Sequence, residues 1–143
     1  MKKSVKAISL VLASALFMAG CGGNEASNGS SDKDQYKIGL TQFAEHPSLD
    51  AATEGFKKAL EDKGFKEGDN VTYDFQNAQA DMNNTASIAN NFVGDKVDLI
   101  FANATPSAVA ALNATKDIPI IFTSVTDPVG AGLVEAFDKP GDN

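Results

Sequence analysis

Apolar positions along this chain alternate between two spacings, and the change of spacing marks out the elements. Tyr36 to Phe43 is a short run carrying Tyr36, Ile38, Leu40 and Phe43 and predicts the first strand. From Ser48 to about Lys63, Leu49, Ala52, Phe56 and Leu60 share one helical face, and Gly64 is placed to stop the helix. Residues 65–69 have turn composition, and Val71 to Phe75 alternates with period two, which predicts a second strand nearer the sheet edge. Asp81 to Asp95 returns to helical spacing: Met82, Ala86, Ala89 and Val93 form a stripe that Ile88 and Phe92 widen. Val97 to Ala102 predicts a third strand, Ser107 to Thr115 a short alanine-rich helix, and Ile118 to Thr123 a fourth strand with Pro119 near its start. Strands alternating with helices through short loops predict a doubly wound, largely parallel α/β sheet.

The strand ends carry the candidate chemistry. After the third strand, Thr105 suits a helix N-cap and Pro106 the first helical position, which would leave the amides of Ser107 and Ala108 free. His46-Pro47 follows the first strand and Asp127-Pro128 follows the fourth in the same order of strand, small or polar loop, and proline at a helix start. In a parallel sheet these ends share one rim. Open α/β sheets bind ligands there, and a helix N-terminus favours an anion. A cleft at that rim is therefore the expected site.

The flanking composition places this domain. Lys2, Lys3 and Lys6 form a basic stretch that overlaps the start of an apolar run from Val5 to Ala19, shorter than a membrane span needs. Met18-Ala19-Gly20-Cys21 then has the form of a bacterial lipoprotein signal, cleaved before Cys21, whose lipid (palmitate among its acyl chains) would anchor the protein. The expected organisation is a signal peptide over 1–20, lipidated Cys21 and a flexible tether over 21–35, and a folded α/β unit over 36–143. Cys21 is the single cysteine, so no disulfide can form within the chain and no thiol chemistry is expected. The formal charge is −7 and becomes −10 without the three leader lysines, and the chain has no arginine. Such acidity argues against nucleic acid as a partner and against a basic membrane-binding patch.

Several segments together resemble one family. They are Gly39-Leu40-Thr41-Gln42-Phe43-Ala44-Glu45-His46-Pro47-Ser48-Leu49-Asp50, Asn77 to Asp81, Asp98 to Ala102, Ala104-Thr105-Pro106, and Phe122 to Val129. In order and spacing they are similar to the substrate-binding lipoproteins of ABC importers, especially those binding tryptophan and other aromatic amino acids. The resemblance implies a type I periplasmic-binding-protein fold, of which residues 36–143 would be most of lobe one, a fragment without the second lobe. It implies a small-molecule ligand, an ABC permease as partner, a lipid-anchored place on the extracytoplasmic face of the cell membrane, and no cofactor. It also implies ligand contacts from Gln42, Phe43 and Glu45 on the first loop, from Asn103, Thr105 and Ser107 on the second, and from Thr123, Ser124 and Asp127 on the third. An amino-acid zwitterion needs helix-end donors for its carboxylate and an acid for its ammonium; Glu45 and Asp127 are both candidates for the latter.

Two other readings compete. A lipoprotein of the same fold could present ligand to a signalling receptor instead of an importer. A small α/β enzyme is the third reading, but its support is thin. His46, Ser48 and Asp50 lie too close in sequence to form a triad, whose members come from separate elements. No cluster has metal-ligand spacing, and Gly130-Ala131-Gly132 lacks the third glycine of a dinucleotide loop.

Overall fold

The computed structural model describes residues 35–143; the expected leader, lipidated Cys21 and most of the tether lie outside these residues. The elements run β1 (Tyr36–Gln42), α1 (Pro47–Asp62), β2 (Val71–Asn77), α2 (Met82–Gly94), β3 (Leu99–Asn103), α3 (Thr105–Ala114) and β4 (Ile120–Thr123). The four named strands pair in parallel in the order β2-β1-β3-β4, so the α/β sheet and the edge position of β2 are as expected.

The two faces of the sheet bury different sets of residues. Ile38, Leu40, Val71 and Phe101 point to one face, where Phe56 and Leu60 of α1 cover them and Phe56 stacks on Phe101 at 4.2 Å between ring centroids. Ile100 and Ala102 point to the other and pack with Ile88 and Phe92 of α2 and with Ala108 and Ala111 of α3. Gly39 faces that side too, and the Phe92 ring lies against its backbone.

Local signals set most helix ends. His46 caps α1, its Nδ1 accepting from the Ser48 amide at 3.2 Å, and Gly64 follows the helix at φ +94°, a conformation open to glycine. Asp81 caps α2 by accepting from the amides of Asn83 at 2.7 Å and Asn84 at 3.2 Å. Such caps contribute about 1 kcal/mol each.

The third proline site departs from expectation. Asp127-Pro128 opens a run of turns, not a helix. The Asp127 carboxylate accepts from the Gly130 amide at 2.8 Å and its carbonyl accepts from Ala131 at 3.0 Å, closing the turn locally. The glycines at 130 and 132 disfavour a continued helix.

Candidate functional site

Strand order locates the crevice. From β1 the chain moves outward to β2, then crosses back to place β3 on the other side of β1. The loop after β1 leads into α1 on one face; the loop after β3 leads into α3 on the opposite face. These two loops part at the β1–β3 boundary, the switch point where open parallel sheets bind ligands. The strand ends there are level: Asn77, Gln42, Asn103 and Thr123 form one row across the sheet. Hydrogen bonds carry the pairing past that row, from Phe43 N to Asn103 O (3.3 Å), Ala80 N to Phe43 O (2.7 Å) and Ala104 N to Thr123 O (3.0 Å).

The N-terminus of α3 is built differently from the other two. Its cap residue is Ala104, not Thr105, and no side chain caps it. Thr105 is therefore the first helical residue and Pro106 the second. The amide of Ala108 is bonded to Ala104 O at 3.1 Å, so the expected free donor at 108 is not free. Thr105 and Ser107 occupy the first and third helical positions, whose amides have no acceptor within an α-helix. Ala104 itself has φ +90° and ψ 153°, a region that is essentially glycine's. Ser124 (φ 57°), Gln79 (φ 54°) and Ala80 (φ 58°) also have positive φ. Four of the five non-glycine residues with positive φ among the described residues thus lie in loops just past strand ends at this rim. Strain held in this way gathers at functional sites.

The expected ligand residues separate into two groups. Gln42 and Asn103 are buried at 1% and 0% exposure, with side chains turned under α1. Ser107 is buried as well, its Oγ 3.4 Å from Thr41 Oγ1 at the sheet. Phe43 is half-buried and packs against the core shared by α2 and α3. Glu45, Ser124 and Asp127 are exposed, and Thr105 and Thr123 are half-buried. Two residues that the sequence reading passed over belong to this region. Ala104 carries no chemical signal of its strain. Thr53 carries one: it is a buried hydroxyl between Leu49 and Phe56 on the covered stripe of α1.

The shifted titrations lie elsewhere. Burial pushes the Tyr73 phenol up, with Glu67 and Glu61 adding to it. Tyr73 lines a concavity of about 720 Å³ on the flank of α1, where Lys57 pairs with Glu67 at 3.0 Å and sits 4.9 Å over the Tyr73 ring. Charged α1 and turn side chains line much of that concavity and it includes none of the rim residues, whereas ligands of open parallel sheets bind at the rim. The Asp95 carboxylate raises the Lys37 ammonium on the sheet's opposite end. Among the described residues no group of three or more His, Cys, Asp or Glu side chains could hold a metal ion.

Residues 37–143 match the family model described as ABC transporter substrate binding protein. The chain belongs to that family. A tyrosine-binding protein of Clostridioides difficile (strain R20291) is 58% identical over the whole of this chain, which spans 44% of that protein's length. A ligand-free, open substrate-binding protein with adhesive properties from Clostridium difficile is 64% identical, with a TM-score of 0.72 over 74% of this chain and 36% of that one. An ABC domain in complex with L-Trp from Streptococcus pneumonia is 40% identical, with a TM-score of 0.71 over 75% of this chain and 36% of that one. The family relation accounts for a one-lobe α/β architecture: these substrate-binding relatives are more than twice as long as the part this chain spans.

Proposed function

We propose that this chain supplies one ligand-holding lobe of an extracytoplasmic solute-binding protein that captures an aromatic amino acid and hands it to an ABC permease, without catalysing a reaction. The observation that carries this reading is the N-terminus of α3: a helix start with no side-chain cap, at the switch point, behind a strained Ala104. The amide of half-buried Thr105, at the first helical position, would take the ligand's carboxylate, helped by the helix dipole. Ser107 is fully buried with its hydroxyl against the sheet, so it would support the helix start from beneath. Exposed Glu45 is the better acid for the ammonium, because Asp127 already holds its own turn. Thr123 ends β4 level with Asn103, and Ser124 begins the third loop. The aromatic class rests on the tyrosine-binding and tryptophan-bound relatives.

Calorimetry on the full-length chain tests this with L-tyrosine, L-tryptophan and tyrosine amide. The free acids should bind and should stabilise the chain by about 2.7 kcal/mol at a hundredfold excess over Kd. The amide should bind far more weakly, because charge-assisted hydrogen bonds contribute roughly 1.5–3 kcal/mol each. Equal binding of amide and acid would place the carboxylate elsewhere.

The anchor is part of the same proposal and rests on Met18-Ala19-Gly20-Cys21 with the basic and apolar residues before it. Cys21→Ala should abolish labelling by a radioactive fatty acid and move the protein to the medium or leave it uncleaved. Labelling that persists in the variant would refute a lipid on Cys21.

A further inference from the structure

Beneath α1 lies a closed set of hydrogen bonds that ligand contact does not explain. Asn103 Nδ2 donates to the Leu49 carbonyl at 2.7 Å and to Thr53 Oγ1 at 3.0 Å, with Gln42 Oε1 at 3.4 Å. The Thr53 hydroxyl donates to Gln42 Oε1 at 3.0 Å. Gln42 Nε2 donates to Asp50 Oδ1 at 2.7 Å and to the Ala44 carbonyl at 2.9 Å. The ends of β1 and β3 are thereby tied to the first two turns of α1 and to the loop between β1 and α1. Gln42 is the hub, since both amide protons and its oxygen are engaged.

Simple packing does not call for this arrangement. Gln42, Thr53 and Asn103 are all nearly or fully buried, and Asn103 Oδ1 has no hydrogen-bond partner. Apolar side chains of similar volume would avoid the desolvation and the orphaned oxygen. What apolar contacts cannot do is hold one register between a helix turn and a strand end, because they lack direction. A directional network can.

We propose that Gln42, Thr53 and Asn103 are positioning residues whose hydrogen bonds fix the 43–46 loop and the first turns of α1 over the switch point, so that the loop is preformed for ligand. The inference rests on the ligand-site reading above and assigns these side chains a role through the loop instead of through contact with the ligand. Thr53 gives the sharpest test, since it lies on α1 beyond the loop and was not a candidate ligand residue.

In the full-length chain, Thr53→Val keeps the shape and removes the hydroxyl, while Thr53→Ser keeps the hydroxyl. Amide hydrogen exchange on the ligand-free chain should show residues 43–50 exchanging about tenfold faster in Thr53→Val and at the wild-type rate in Thr53→Ser, with α2 and α3 unchanged. Stopped-flow binding should show Thr53→Val slowing association by one common factor for L-tyrosine and L-tryptophan, set by the fall in the competent loop fraction, with dissociation little altered. That is the signature of a less populated competent loop; a lost ligand contact would speed dissociation instead. Exchange over 43–50 that stays at the wild-type rate would overturn the proposal, and so would a binding loss lying wholly in dissociation. Wild-type protein that binds neither amino acid would refute the ligand reading, whereas the exchange comparison would still decide the positioning role.

Discussion

Phe92→Ala should lower the unfolding free energy by about 3–5 kcal/mol, the range for emptying a buried aromatic site. Phe92 has no exposed surface, and its ring packs between α2 and the sheet. The partner that makes this ring informative is Gly39. A Cβ at position 39 would lie 2.6 Å from Phe92 Cδ2 and 2.8 Å from Cγ, closer than carbon atoms approach. Gly39→Ala should therefore cost about 1–3 kcal/mol by overpacking. In the Phe92→Ala background the same substitution has room and should cost almost nothing. Urea unfolding followed by circular dichroism on the two single variants and the double variant measures this coupling. Strict additivity would show that the close approach of Gly39 and Phe92 does not limit the core.

The second large effect has the opposite sign. Ala104→Gly should stabilise the ligand-free chain by about 1 kcal/mol. Its φ of +90° with ψ of 153° costs an alanine on the order of 1–3 kcal/mol. Glycine relieves that strain and returns part of the gain as unfolded-state entropy, roughly 0.4–1 kcal/mol. Elsewhere an alanine-to-glycine change usually destabilises, so the sign alone is diagnostic. The same variant should bind ligand less tightly, because the strained peptide aims the first amides of α3 at the rim and glycine lets it turn. Chemical denaturation without ligand and calorimetry with it separate the two effects. A destabilised variant with unchanged affinity would mean that Ala104 is an ordinary loop residue.

The second effect sits where the sequence was least informative, and the reason is physical. Alanine at 104 has no side chain that reports on its backbone, and the strain arises because Ala104 N pairs with Thr123 O while its carbonyl already accepts from Ala108. The buried placement of Gln42 and Asn103 was hidden for a related cause. A polar residue at a strand end looks the same whether it faces a ligand or the underside of a helix. The choice was made by Thr53, fifty residues before Asn103, and by the height at which α1 crosses the sheet. Thr105 has the local signature of a cap, because threonine before proline fits that role; pairing of Ala104 to β4 sets the helix start one residue earlier. Asp127-Pro128 had the local signature of a helix start, and the following Gly130 and Gly132 let the chain close turns instead.

What the sequence determined by itself is the part governed by local period and by side chains that bond to their own neighbours. Alternation of apolar spacing specified the four strands and three helices in order, because each element must bury a continuous face. His46, Asp81 and Gly64 set their helix ends because their interactions span only a few residues. Only the tertiary structure decided the site. The β2-β1-β3-β4 order puts the switch point between Gln42 and Asn103, and these residues lie 61 positions apart in the chain. Which rim groups stay exposed, which turn under α1, and which backbone carries strain all follow from contacts between elements distant in sequence, and no local pattern encodes those distances.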